Sequence, residues 1–69
     1  MKATEKTILT ALVNIACVGY PGKCLTHFTK SERGRVLDTL YNRGLIDDHA
    51  RPTKAAKAVI IENMHLCQY

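Results

Sequence analysis

The chain of 69 residues predicts one small α+β domain, residues 1–69, mostly helical, with a short two-stranded hairpin between its last two helices. Three observations carry that expectation. Apolar residues recur at helical spacing in Ile8, Leu9, Leu12, Ile15 and Ala16, and again in Val36, Leu37, Leu40 and Tyr41. Thr29-Lys30-Ser31-Glu32, just ahead of the second stripe, is a helix-start signature. Leu45-Ile46-Asp47 and Arg51-Pro52 flank a charged turn short enough to fold the chain back on itself.

The first helix is expected over residues 4–18. Val13 lies at the edge of its apolar face, and Lys6, Thr7, Thr10 and Asn14 make the opposite one. Gly19, Pro21 and Gly22 then break the chain. Residues 23–29 read two ways: Leu25 and Phe28 share one turn of a short helix, whereas Leu25, His27 and Thr29 alternate as in a strand. The next helix is expected over residues 30–43. Thr29 can accept from the backbone N–H of Glu32 while Glu32 reaches back, and Gly44 can take the left-handed conformation that closes a helix. Leu45–Asp47 then has room for one short strand, Asp48-His49-Ala50 for the turn and Arg51–Pro52 for the return. Pro52 has no N–H to give a ladder, so it belongs at an edge or a strand end. Thr53 suits an N-cap for a last helix over residues 54–66, with Ala55, Ala56, Val59, Ile60 and Cys67 facing inward.

Composition narrows the function. Hydrophobic residues at 46% and charged residues at 23% exclude a disordered chain. Folding a chain this short buries roughly 60% of its unfolded surface, and without Trp the core rests on Leu, Ile, Val and Ala. No apolar run approaches the ~20 residues of a membrane span. The N-terminal Met-Lys-Ala-Thr-Glu-Lys-Thr lacks the apolar segment of a signal peptide. A cytoplasmic protein with no membrane partner is expected. Cys17, Cys24 and Cys67 are odd in number, which argues for reduced thiols over a disulfide framework. Cys17, Cys24 and His27, with His49, His65 or Cys67 as a fourth, are the right donor types for zinc. They lack the second closely spaced pair of a structural site, so the cysteines read as small hydrophobes and no metal or cofactor is expected. A phosphate loop, an HExxH pair and a nucleophile elbow are all missing. Cys24 and His27 make a conceivable nucleophile and base, but so small a domain has little room for a cleft, and no enzymatic activity is expected. The net charge of +4 favours a polyanionic partner.

The segment Arg35 to Val59, RVLDTLYNRGLIDDHARPTKAAKAV, resembles the winged helix-turn-helix family of DNA-binding domains, with the match strongest over residues 29–60. That family commonly shows an apolar pair on its recognition helix, then Arg-Gly-Leu-Ile, a hairpin, and Pro-Thr with Lys and small residues opening the next helix. The resemblance implies a two-stranded wing after Gly44 and a recognition helix, residues 30–43, in the major groove of double-stranded DNA. A transcriptional regulator acting by promoter occlusion follows as the expected function, with a protein-binding adaptor or inhibitor as the alternative.

On a helical wheel the face opposite Val36, Leu37 and Leu40 carries Ser31, Arg35, Asp38 and Asn42, with Thr39 beside it. Arg pairs bidentately with guanine and Asn with adenine, so Ser31, Arg35, Thr39 and Asn42 are the base-contact candidates. Gly34 costs about 1 kcal/mol of helix propensity relative to Ala and would let a backbone approach closely. Lys30, Arg33, Arg43, Arg51, Lys54 and Lys57 are the phosphate-contact candidates, which position a protein without reading sequence. Asp38, Asp47 and Asp48 oppose phosphate. Ile61 lies among Lys54, Lys57 and His65 with Met64 at its edge. Together Ile61 and Met64 suit a homodimer contact through the C-terminal helix.

Overall fold

A computed structural model describes residues 3–69. In chain order its elements are α1 (Glu5–Val18), a 3-10 turn (Gly22–Leu25), α2 (Lys30–Asn42), α3 (Ala56–Glu62) and a second 3-10 turn (Met64–Leu66). Thr4 caps α1, its hydroxyl accepting from the Thr7 N–H at 3.2 Å. Gly19 ends α1 at φ 88°, where its N–H reaches the Ile15 carbonyl at 2.9 Å.

The two-way stretch after Pro21 takes the helical form. A strand would set Leu25 and Phe28 on opposite sides; the observed turn buries both and leaves His27 and Thr29 exposed. The capping box of α2 is complete: Thr29 Oγ1 accepts from the Glu32 N–H at 3.1 Å, and Glu32 Oε1 accepts from the Thr29 N–H at 2.8 Å. The helix closes as a Schellman motif. Gly44, at φ 74°, donates to Tyr41 at 2.9 Å and Leu45 donates to Leu40 at 3.0 Å. Ala11, Leu12 and Ile15 of α1 and Val36 and Leu40 of α2 form the centre of the core, and Leu25, Phe28, Leu45, Ile46 and Ala56 close it.

The expected α+β class is corrected: among the described residues there is no strand and no sheet, so the domain is helical and has no wing. Residues 45–52 keep one isolated antiparallel bridge, Ile46 with Pro52. Three local causes stop a hairpin. The Leu45 N–H, which would complete the pairing on one side of the bridge, goes to the Leu40 carbonyl at 3.0 Å instead. The Asp47 carboxylate takes the backbone N–H groups of His49 at 2.9 Å and Arg51 at 3.0 Å, and Ala50 turns left-handed at φ 57°, so the arms are joined by two backbone bonds, Asp47 N–H to the Arg51 carbonyl at 2.9 Å and Thr53 N–H to the Leu45 carbonyl at 3.1 Å. Leu45 and Ile46 are both buried, whereas a strand sends successive side chains to opposite faces.

Three further expectations change. The last helix is shorter than residues 54–66, because Thr53 does not cap it. Its hydroxyl donates to the Gly44 carbonyl at 2.6 Å, tying down the end of α2 instead. Asn63 ends α3 with its side-chain amide on the Val59 carbonyl at 2.8 Å. Ala55 is exposed and Ala56 carries the packing. On α1, Ala16 is exposed, while Thr10 and Asn14 of the supposed polar face are buried. The chain's own C-terminal tail accounts for Asn14. Asn14 Nδ2 donates to the Pro21 carbonyl at 2.7 Å and to Gln68 Oε1 at 2.9 Å, and Asn14 Oδ1 accepts from the Gln68 N–H at 3.1 Å.

Candidate nucleic-acid interface

The outer face of α2 is open. Ser31, Arg35, Asp38 and Asn42 are exposed along it, as is Lys30 at its start. Among the described residues no ion pair or side-chain hydrogen bond holds the Arg35 guanidinium. A Cβ placed on Gly34 would meet nothing within 4 Å. The helix therefore gains no internal packing from this glycine, whose cost in a helix interior is about 1 kcal/mol. Thr39 is half-buried and turned back, its hydroxyl on the Arg35 carbonyl at 2.8 Å. It stands apart from the Ser31–Arg35–Asn42 line.

Two of the predicted phosphate contacts are committed inside the molecule. Arg43 makes a bidentate pair with Glu5, Nη1 to Oε2 at 2.6 Å and Nη2 to Oε1 at 2.8 Å. That fork joins the end of α2 to the start of α1. The Arg43 hydrogen bond holds the Glu5 carboxyl below its ordinary value. Arg33 donates from Nε to the Phe28 carbonyl at 3.1 Å and braces the entry to α2. Lys30, Arg51, Lys54 and Lys57 are exposed, on four different segments: the α2 start, the loop, the turn before α3, and α3 itself. Thr53, bonded to Gly44 and Leu45, sets Lys54 beside the end of α2. Ile61 (63% exposed) and Met64 (46%) are both open to solvent.

Two features escaped the sequence. The first is an acidic recess of about 360 Å³ beside α2, lined in part by Asp38, Tyr41, Asp47 and Asp48. Tyr41, assigned above to the apolar stripe, is half exposed there, and the neighbouring Asp48 carboxylate holds its phenol above the usual value. Backbone donation from Arg51, and then from His49, holds the Asp47 carboxyl low. Asp47-Asp48 and Asp38 were visible as acidic residues. What brings them together is the loop fold, which has no local signature. The second is an aromatic corner where the tail returns. Tyr69 Oη accepts the Lys23 N–H at 2.9 Å, Lys23 Nζ lies 5.0 Å from the Tyr69 ring centre, and the Tyr20 ring meets Tyr69 edge-on at 6.0 Å.

No protein-family model matches the chain, and neither a curated protein nor a solved structure proves similar to it. Among the described residues no helix is long and apolar enough to cross a membrane.

Proposed function

We propose that this protein is a small helical DNA-binding module without a wing, a cytoplasmic transcriptional regulator that occludes a promoter by laying the outer face of α2 in the major groove. The observation that carries this reading is an exposed line of Ser31, Arg35 and Asn42 in which, among the described residues, no partner holds the Arg35 guanidinium and no side chain lies within 4 Å of a Cβ at Gly34. Arg35 and Asn42 have the donor geometry for guanine and adenine edges. Lys30, Arg51, Lys54 and Lys57 supply phosphate contacts. Arg33 and Arg43 act indirectly, by fixing α2 against Phe28 and Glu5. Exposed Ile61 and Met64 supply an apolar contact through which two copies would span paired half-sites. Titration of duplex DNA tests the reading. Log K should fall linearly with log[salt], by about 0.9 per phosphate neutralised, and an affinity that stays flat between about 50 and 200 mM salt removes it.

A second reading has its own observation. The acidic recess of Asp38, Tyr41, Asp47 and Asp48 shares Asp38 with the exposed face of α2, and its carboxylates repel phosphate. It suits a basic segment of a partner protein, which would make the module an adaptor or inhibitor. Stoichiometric capture of one protein partner, lost in Asp48→Lys, without any shift of duplex DNA, decides for this reading.

A further inference from the structure

Cys17, in the last turn of α1, and Cys67, just past the second 3-10 turn, lie fifty positions apart in sequence with their sulfurs 2.9 Å apart. Cys17 is exposed and Cys67 half-buried, so a small reagent reaches the pair. Cys24 differs from both: its thiol donates to the Pro21 carbonyl at 3.4 Å, and burial pushes it up from the ordinary thiol value. Around the sulfur pair the tail is already seated. Gln68 is bonded to Asn14, and Tyr69 to the Lys23 N–H. Ordering has thus been achieved by non-covalent contacts, and closing an S–S bond asks only for a small movement of two side chains.

We propose that Cys17 and Cys67 are a thiol-modification site that low-molecular-weight disulfides oxidise to an intramolecular disulfide, latching the C-terminal tail to the end of α1. The reaction is thiol–disulfide exchange in two steps. The Cys67 thiolate attacks one sulfur of the reagent disulfide; its S–S bond breaks, and the first thiolate leaves and takes a proton from water. The Cys17 thiolate then attacks the Cys67 sulfur, forming the Cys17–Cys67 bond and expelling the second reagent thiol. The protein loses two hydrogens and two electrons, and one reagent disulfide becomes two thiols. The hydrogen bond between the two cysteines favours this order, because it lowers the Cys67 thiol from its ordinary value and raises that of Cys17. Small domains gain most from such a staple, and this one closes a long loop of chain.

The test uses the full chain, reduced and then equilibrated with glutathione disulfide. The expected product is a monomer that has lost two hydrogens in intact mass, with Cys24 alone open to alkylation. Its Tm should lie above that of the reduced protein by on the order of 10 °C, from restriction of the unfolded chain. Cys17→Ser and Cys67→Ser, both close in size to the native residue, should stop at a glutathione adduct or stay reduced, with no rise in Tm. Cys24→Ser should still latch. A wild-type product that is a stable glutathione adduct, a bond that includes Cys24, a disulfide-linked dimer, or an oxidised monomer that melts with the reduced one would each overturn the proposal.

Discussion

Thr10 and Asn14 on α1 and Ser31, Arg35 and Asn42 on α2 occupy equivalent places in the sequence, each set lying opposite its helix's apolar stripe. On α1 that face is closed off. Thr10 donates to the Lys6 carbonyl at 2.7 Å, and Asn14 is fully buried with Pro21 and Gln68 as its partners. On α2 nothing among the described residues covers the face. A polar face therefore has two physical meanings. Asn is a four-site hydrogen-bonding group that can be buried when a backbone segment meets it, and the C-terminal tail is that segment for α1. The face of α2 has no such partner among the described residues, which opens it to water or to another molecule.

The largest effect expected on this contrast comes from Asn14→Ala. Removing the fully buried amide takes the partner from the half-buried Pro21 carbonyl and releases the exposed Gln68, at a cost of about 1–3 kcal/mol. For a domain of this size that is a fall in Tm of on the order of 10 °C, readable by thermal circular dichroism. An unchanged Tm would mean that the tail does not cover α1 in solution. Asn42→Ala on α2, its counterpart, should leave Tm within about 1–2 °C, as an exposed substitution does whose side chain makes no capping or core contact among the described residues.

How much of this was legible follows from how local each cause is. Both ends of α2 could be read directly, because the Thr29–Glu32 box and the Gly44 closure are decided within a few residues. The apolar stripes placed Leu12, Ile15, Val36 and Leu40 in the core for the same reason. The hairpin failed on a competition that periodicity does not see. The Asp47 side chain took the Arg51 N–H and the closure of α2 took the Leu45 N–H, each removing a backbone bond from a two-stranded ladder, and Leu45 and Ile46 went together into the core. The fate of Thr10 and Asn14 depended on Gln68, a distant partner. Of the candidate site, exposure of Ser31, Arg35 and Asn42 was legible from the helical wheel. The commitments of Arg43 to Glu5 and of Arg33 to Phe28 were not, because any surface arginine looks alike until its neighbours are known.

The open face of α2 is sharpened by two substitutions of smaller effect. Arg35→Ala should cost about 1–3 kcal/mol on a preferred duplex and relax preference at one base pair, whereas Arg51→Ala should weaken all duplexes alike and lower the salt slope by about one unit. A lost bidentate base contact leaves groove atoms unpaired, while water and counterions replace a lost phosphate contact. Equal small losses on every duplex would reduce the face to a non-specific one. Gly34→Ala separates folding from binding. With nothing near the new methyl group, the helix should gain up to about 1 kcal/mol of stability. If a partner lies against that spot, affinity should fall in the same protein. A gain in both would place the partner elsewhere.

The smallest effect lies where the two helices are tied, at Glu5 and Arg43. The Arg43 hydrogen bond, opposed by a little desolvation and helped by the guanidinium charge, keeps the folded Glu5 carboxyl below the ordinary value of 4.5. A carboxyl lowered by folding adds stability above its unfolded value, and that contribution disappears as pH falls through the folded value. Tm should therefore decline on acidification through the carboxylate range. Glu5→Gln should flatten that decline slightly and leave a small drop in Tm at neutral pH. The pair is exposed, so its contribution is screened, and added salt should shrink the neutral-pH difference between Glu5→Gln and the native chain. The decline should not vanish in the variant, because the Glu32 carboxyl is lowered further still, to about 2, and Asp47 is held low in the same direction by the Arg51 and His49 N–H groups. Asp47→Asn removes the Asp47 contribution and can keep both N–H acceptances, because His49 and Arg51 donate to the same Oδ1. If Glu5→Gln leaves both the neutral-pH Tm and its acid decline unchanged, the fork does not restrain α2 in solution. Arg43 would then return to the set of cations free to meet phosphate, and the salt slope of the native protein would exceed that of Arg43→Gln by about one further contact.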